Sequence, residues 1–195
     1  MAAPLGHPIP VTPAGEHAAI DVRVLRSALA ALTGADPLRR DDAVRTVLHM
    51  PSRFAPPVLH AVSEAVFATD REEGAWRFYA AQLRTRFDIT RCADPTVEGA
   101  AAILTGRFGP PVNRWVFAEP SRLRPLAERA VAWDRATPHE YDHRWVNLHG
   151  TGAFGAGDGQ LSVPADEWDA IAERVRVEYL DGVDEVLREL PGPAR

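Results

Sequence analysis

Lysine is absent from this chain: all 22 basic residues among its 195 are arginine. That excludes chemistry run on a lysine amine, namely a Schiff base, a pyridoxal phosphate anchor or a phosphate-loop lysine. Cysteine is reduced to Cys92 alone, so no intramolecular disulfide forms and cysteine-rich zinc modules are excluded. No apolar run approaches the roughly 18 residues of a membrane span, so no membrane association is expected. The opening Met-Ala-Ala-Pro-Leu-Gly-His-Pro lacks the basic and apolar regions of a signal peptide. The expected address is the cytoplasm. Strand chemistry is scarce as well: no segment sustains period-two alternation, and the nearest approach, Leu161-Ser162-Val163, is too short to matter. A basic excess is also missing. With a net charge of −5 there is no field to hold a phosphate backbone, and nucleic acid is not an expected partner.

What is present is ordinary for a soluble globular chain, with 46% apolar and 25% charged residues. The richness in Arg, Ala, Pro and Gly is that of a GC-rich bacterial genome. The length fits one domain with a sizeable core. Residues 1–15, with Pro4, Pro8, Pro10 and Pro13, read as a disordered Pro-rich tail, 16–190 as a single all-helical domain, and 191–195 as a frayed end.

Within 16–190 the apolar spacing is helical throughout, and proline repeatedly opens helices. Ile20, Val24, Leu25, Leu29 and Leu32 mark a first helix ending at Gly34. Asp36-Pro37 supplies an N-cap and first-turn proline for a second, closed by Pro51. Further helices are expected from Pro57, over 72–92, from Asp94-Pro95 to about Gly109, from Pro110-Pro111, from Ser121, from Thr137-Pro138 and from Val163-Pro164, the last kinked at Gly182. Nine or ten short helices in orthogonal or bundle-like packing make an all-α domain. Arg84, Arg86 and Arg91, with Asp88 interleaved, read as a solvated face with an Arg84–Asp88 pair at i, i+4. Cys92 reads as a small buried residue rather than a nucleophile.

The most pointed chemical suggestion is His139-Glu140-x-x-His143, with His149 ten residues after the first histidine. On a zinc-hydrolase helix, histidines at i and i+4 share one face and the intervening Glu activates a metal-bound water. His149, or Glu167, Glu173 or Glu178, would supply the third ligand. Against this, Pro138 starts the helix at the first ligand, Val146 stands where a metzincin needs Gly, and no Met follows Met50 for a Met-turn. Thr137-Pro138-His139-Glu140 is equally a helix start with a capping box. The motif is then a capped helix over 138–149 whose Tyr141, Trp145 and Leu148 face the core.

Gly150-Thr151-Gly152-Ala153-Phe154-Gly155 has the letters of a dinucleotide loop, but no strand precedes it and no helix opens at its third Gly. A loop over 150–160, acting as a lid, is the better expectation. The five tryptophans sit at core spacing and could equally line an apolar pocket. The leading functional expectation is a non-catalytic binding protein for a protein or small-molecule partner, without cofactor, in which Tyr141, Arg144 and Trp145 contact the ligand. The first alternative is a zinc hydrolase using His139, His143 and His149 as ligands and Glu140 as base. The second is a metal-free helical enzyme of specialised metabolism, with the segment from Tyr141 to His149 as a pocket wall.

Overall fold

A computed structural model describes residues 15–154 and 159–190. Residues 1–14 of the expected 1–15 tail, 155–158 of the 150–160 loop and the end 191–195 lie outside the described residues. Among the described residues there are seven α-helices joined by short 3-10 turns and no strand, so the all-α class holds, with fewer and longer helices than the nine or ten expected. They are α1 (Arg23–Thr33), α2 (Pro37–His49), α3 (Pro56–Phe67), α4 (Arg71–Thr90), α5 (Gly99–Phe117), α6 (Leu123–Ala136) and α7 (Trp168–Glu189).

Helix α4 is the axis of the fold, lying against α3, α5, α6 and α7. Its start is set by Asp70, whose carboxylate accepts from the Glu73 amide and fills one of the orphan donors of a helix start. Phe78, Ala81 and Leu83 are fully enclosed, against Val58, Val62, Val112 and Ala127 of the same core. The α3–α4 crossing is close because Gly74 has no side chain: a Cβ there would collide with the Phe67 backbone. Helices α1 and α2 pack on each other and on α3, but each buries a single residue, Leu32 and Val47. Asp36 caps α2 through the amides of Leu38 and Arg39, with Pro37 in the first turn, as expected.

Several boundaries differ from the sequence expectation. The first helix divides into a 3-10 turn, Gly15–Ala19, and α1. Pro110-Pro111 does not open a helix; α5 runs through it. Two backbone donors are thereby missing from the ladder, but continuity keeps Phe108, Val112 and Val116, each one turn from the next, on the buried face. Helix α7 continues through Gly182 and, at 22 residues, exceeds α4 at 20. The Leu161–Val163 segment does matter. Ser162 forms an isolated antiparallel bridge with Cys92, flanked by Ala93 N–H to Leu161 O at 3.2 Å and Val163 N–H to Arg91 O at 2.9 Å.

Candidate binding site

Residues 137–142 are not helical, which corrects both sequence readings of the His139-Glu140-x-x-His143 segment. The cause begins at Thr137, held extended (φ −116°, ψ 114°) as the C-cap of α6, the conformation favoured before proline. The Arg84 guanidinium donates to the Thr137 carbonyl at 2.5 Å, and the Glu140 amide donates to the Ser52 carbonyl at 2.8 Å. Thr137 therefore closes α6 and is the N-cap of no helix. The helical turn starts later, as a 3-10 turn over His143–His149, capped by the Asp142 carboxylate on the Arg144 amide. Trp145, Val146 and Asn147 are buried in succession.

The segment is fastened to α4 by buried charges. Asp88, fully enclosed, accepts from Arg91 at 2.6 Å, from the Trp145 indole at 2.7 Å and from the Tyr141 hydroxyl at 3.0 Å. Asp134 of α6 accepts from buried Arg84 at 3.0 Å, from Arg176 of α7 at 2.7 Å and sits 3.0 Å from His139 Nε2. Burial alone would raise the Asp134 carboxyl; the bond to His139 and the charge of Arg84 outweigh it and hold it down at about 2. Burial and the adjacent Asp88 carboxylate push the Tyr141 phenol well above its ordinary range, so it stays a neutral donor. Arg84 lies over the Trp133 ring and Arg91 over Phe87 and Trp168, which covers the cations with aromatic faces.

The expected solvated arginine face is thus overturned for Arg84, Asp88 and Arg91, which are among the most enclosed side chains of the molecule. Arg84 pairs with Asp134, not with Asp88. A signal was available: positions 84, 87, 88 and 91 continue the helical stripe begun by Trp76 and Ala80. Nothing in the sequence names Asp134 as the partner, because that pairing spans 50 residues.

In front of Tyr141 and Trp145 lies an open cleft of about 590 Å3. One wall is Asp21, Val24 and Leu25 at the start of α1. A second is Met50, Arg53, Phe54 and Ala55 in the connection between α2 and α3. The third is Glu140, Tyr141, Asp142 and Trp145. Of the sequence candidates, Glu140, Tyr141 and Trp145 meet here. Arg144 does not line the cleft; it clamps Asp142 with two bonds of 2.8 and 2.7 Å, and Asp142 in turn accepts from the Asp21 amide at 2.9 Å. Met50, Arg53 and Phe54 carry no motif and were not candidates.

The histidines go elsewhere. His139 rests on Asp134 and against Phe87 and Tyr141. His143 Nε2 is 2.7 Å from the Ser162 hydroxyl, with its ring edge-on to Trp168, and burial followed by the Arg91 charge lowers it to about 4. His149, exposed, packs edge-on to Trp145. Glu140 is exposed, and its carboxylate takes the Ser52 hydroxyl at 2.6 Å. Among the described residues no three His, Cys, Asp or Glu side chains gather in a way that could hold a metal ion. The zinc donor set does not fit this geometry.

The glycine segment is used structurally. Gly152 N–H donates to Asp94 at 3.0 Å and Thr151 N–H to the Thr96 hydroxyl at 2.8 Å, so these amides are already taken by protein oxygens. A Cβ on Gly150 would strike the Asp94 carboxylate. Cys92 is half-buried and donates to Asn147 Oδ1 at 3.1 Å; burial raises its thiol, which fits a packed residue and not a nucleophile. No helix among the described residues is long and apolar enough to cross a membrane. No protein-family model, curated protein or solved structure matches the chain.

Proposed function

We propose that this chain is a non-catalytic binding protein, cytoplasmic and of bacterial origin, that takes a small amphipathic molecule into the cleft between α1, the 50–55 connection and residues 140–145. The observation that carries this reading is a rigid aromatic wall with an open space before it. Trp145 and Tyr141 are each hydrogen-bonded from behind to enclosed Asp88, so their rings are already set before a ligand arrives. A preset wall lowers the ordering cost of binding. The volume and mixed lining, with Leu25, Met50 and Phe54 beside a few charged groups, are those of small-molecule sites. A concave cleft of this kind suits a small molecule better than a protein face. The hydrolase alternative has less support, since His139, Glu140 and His143 each engage a different partner.

The test is a screen of small aromatic fragments followed by amide and indole NMR shifts. Binders are expected to move the Trp145 indole N–H, and Val24→Trp, at an exposed position on the rim, is expected to abolish the shift. Fragments that bind only elsewhere, or a shift that survives Val24→Trp, would refute the cleft as the binding site.

A further inference from the structure

The cleft carries two charges that the described residues leave unpaired, and they are of opposite sign. Asp21 is held by Arg23 through two bonds of 3.0 and 2.8 Å, and Asp142 by Arg144. Glu140 is different: its carboxylate has one hydroxyl partner, Ser52, and no cation among the described residues within ion-pair distance. Arg53, the residue after Ser52, forms no ion pair and makes no side-chain hydrogen bond among the described residues. Both line the same cleft. The double tie between Ser52 and Glu140, amide to carbonyl and hydroxyl to carboxylate, fixes the anion beside the turn that carries the cation. The two stay separate, facing apolar Met50, Phe54 and the aromatic wall.

We infer that the ligand is a small zwitterion with an apolar body, an α-amino acid with a large apolar side chain or a short peptide of such residues, its carboxylate on Arg53 and its ammonium on Glu140. The inference rests on the cleft being the binding site. Charge complementarity selects this class. A pure anion would find Arg53 but also meet Asp21, Glu140 and Asp142 on the same walls. A pure cation would leave Arg53 beside it unmatched. A zwitterion answers both groups, and the guanidinium fork suits a carboxylate. An aromatic or long aliphatic side chain lies among Leu25, Met50 and Phe54 of the lining, beside Trp145, which is itself almost wholly buried.

The experiment is titration calorimetry of the full chain with matched probes: phenylalanine, the dipeptide Phe-Phe, phenethylamine, 3-phenylpropionate and uncharged 2-phenylethanol. The zwitterions are expected to bind more tightly than either singly charged analogue by roughly three- to tenfold, the range for partly exposed charge pairs. Arg53→Gln should remove the advantage over the amine, and Glu140→Gln the advantage over the acid. Both positions are exposed, so the fold should tolerate each change. A tighter dipeptide than amino acid would place a short peptide in the cleft, the reverse a free amino acid, and either supports the inference. Equal binding of all five probes, or a preference for the amine that Arg53→Gln leaves intact, would overturn the zwitterion while leaving the cleft as a binding site. Binding by none of the five would remove both.

Discussion

The two halves of α4 are both buried, and they reach burial by opposite routes. Residues 74–83 put Ala75, Trp76, Phe78, Ala81 and Leu83 against apolar neighbours from α3, α5 and α6. Residues 84–91 put Arg84, Asp88 and Arg91 under the same cover, Arg84 answered by Asp134, Asp88 by Tyr141 and Trp145 from distant segments, and Arg91 by Asp88 itself. In the first half contacts are non-directional, so a smaller side chain loses stability in proportion to the volume removed. In the second half the loss comes from the partner left behind, because a desolvated charge or donor without a partner is expensive whatever the size of the change. The apolar half holds the helices together. The charged half places the wall of the cleft.

The largest expected effects lie at one enclosed position in each half. Asp88→Ala leaves the Arg91 guanidinium, the Trp145 indole and the Tyr141 hydroxyl without their common acceptor and should destabilise by about 3–5 kcal/mol. Phe78→Ala, at an equally enclosed site, should lose about 3–5 kcal/mol as well, yet Phe78→Leu should lose much less. Urea unfolding of the three variants with Asp88→Asn distinguishes the two routes. Asn keeps the shape but replaces one accepting oxygen by a donor, so Asp88→Asn should stay close to Asp88→Ala. If Asp88→Asn behaves like Phe78→Leu, the charge is not what matters and the comparison fails.

Acid should probe both halves through their histidines. His60 is fully enclosed in the apolar core, stacked on Phe108 with its Nε2 3.4 Å from the Thr85 hydroxyl, and burial lowers it from 6.5 to about 3. His143, beside the charged half, is lowered to about 4 by burial and by Arg91. In both cases the unfolded chain takes up a proton near pH 6.5 while the folded chain does not. Stability is therefore fully present above that pH and is lost as pH falls towards the folded values. For His60 the loss is on the order of 2–3 kcal/mol at about pH 4.5. His60→Leu should flatten the fall of Tm between pH 6.5 and 4.5, at a change of no more than about 1.5 kcal/mol at neutral pH. A variant that keeps the wild-type slope would assign acid sensitivity to other groups. The stabilisation from Asp134 is fully present above its ordinary 3.8 and is lost only as pH falls from there towards about 2, below this window.

The same contrast explains what could be read from the chain. The apolar half of α4, the α2 cap at Asp36 and the general helicity are local patterns of spacing and capping, and they were legible. The burial of Arg84, Asp88 and Arg91 was half legible: they lie on the helical stripe, but charge argued for solvent, and the partners Asp134, Tyr141 and Trp145 are 50 to 57 residues away. The course of residues 137–142 was not legible. Thr137-Pro138-His139-Glu140 fits a helix start locally, and it is overruled by Arg84 on the Thr137 carbonyl and Ser52 on the Glu140 amide, two contacts set by tertiary packing. Tyr141 and Trp145, expected as ligand contacts together with Arg144, line the cleft, and Arg144 does not. Arg53 did not stand out, because an isolated arginine in a turn has no pattern to mark it.

The smallest expected effect is at the residue with the strongest motif. Glu140 lies outside any helix, so Glu140→Gln removes no capping box, and its side-chain carbonyl can still accept from the Ser52 hydroxyl. Its amide bond to the Ser52 carbonyl is untouched by the substitution. The change in unfolding free energy should fall within about 0.5 kcal/mol, as for exposed positions without special roles. A zinc-hydrolase base at this position would also tolerate Gln in the fold, so stability alone does not separate the readings; zinc uptake and fragment binding do. Glu140→Gln is expected to bind uncharged 2-phenylethanol as the wild type does, and neither protein is expected to take up zinc stoichiometrically on titration. Stoichiometric zinc lost on His139→Ala would require His139 and His143 to leave Asp134 and Ser162 and converge. Because the His139 ring stacks on Tyr141, which shares the Asp88 carboxylate with Trp145, that movement would also disturb the Trp145 indole resonance. Zinc added to the wild type should leave that resonance where it is.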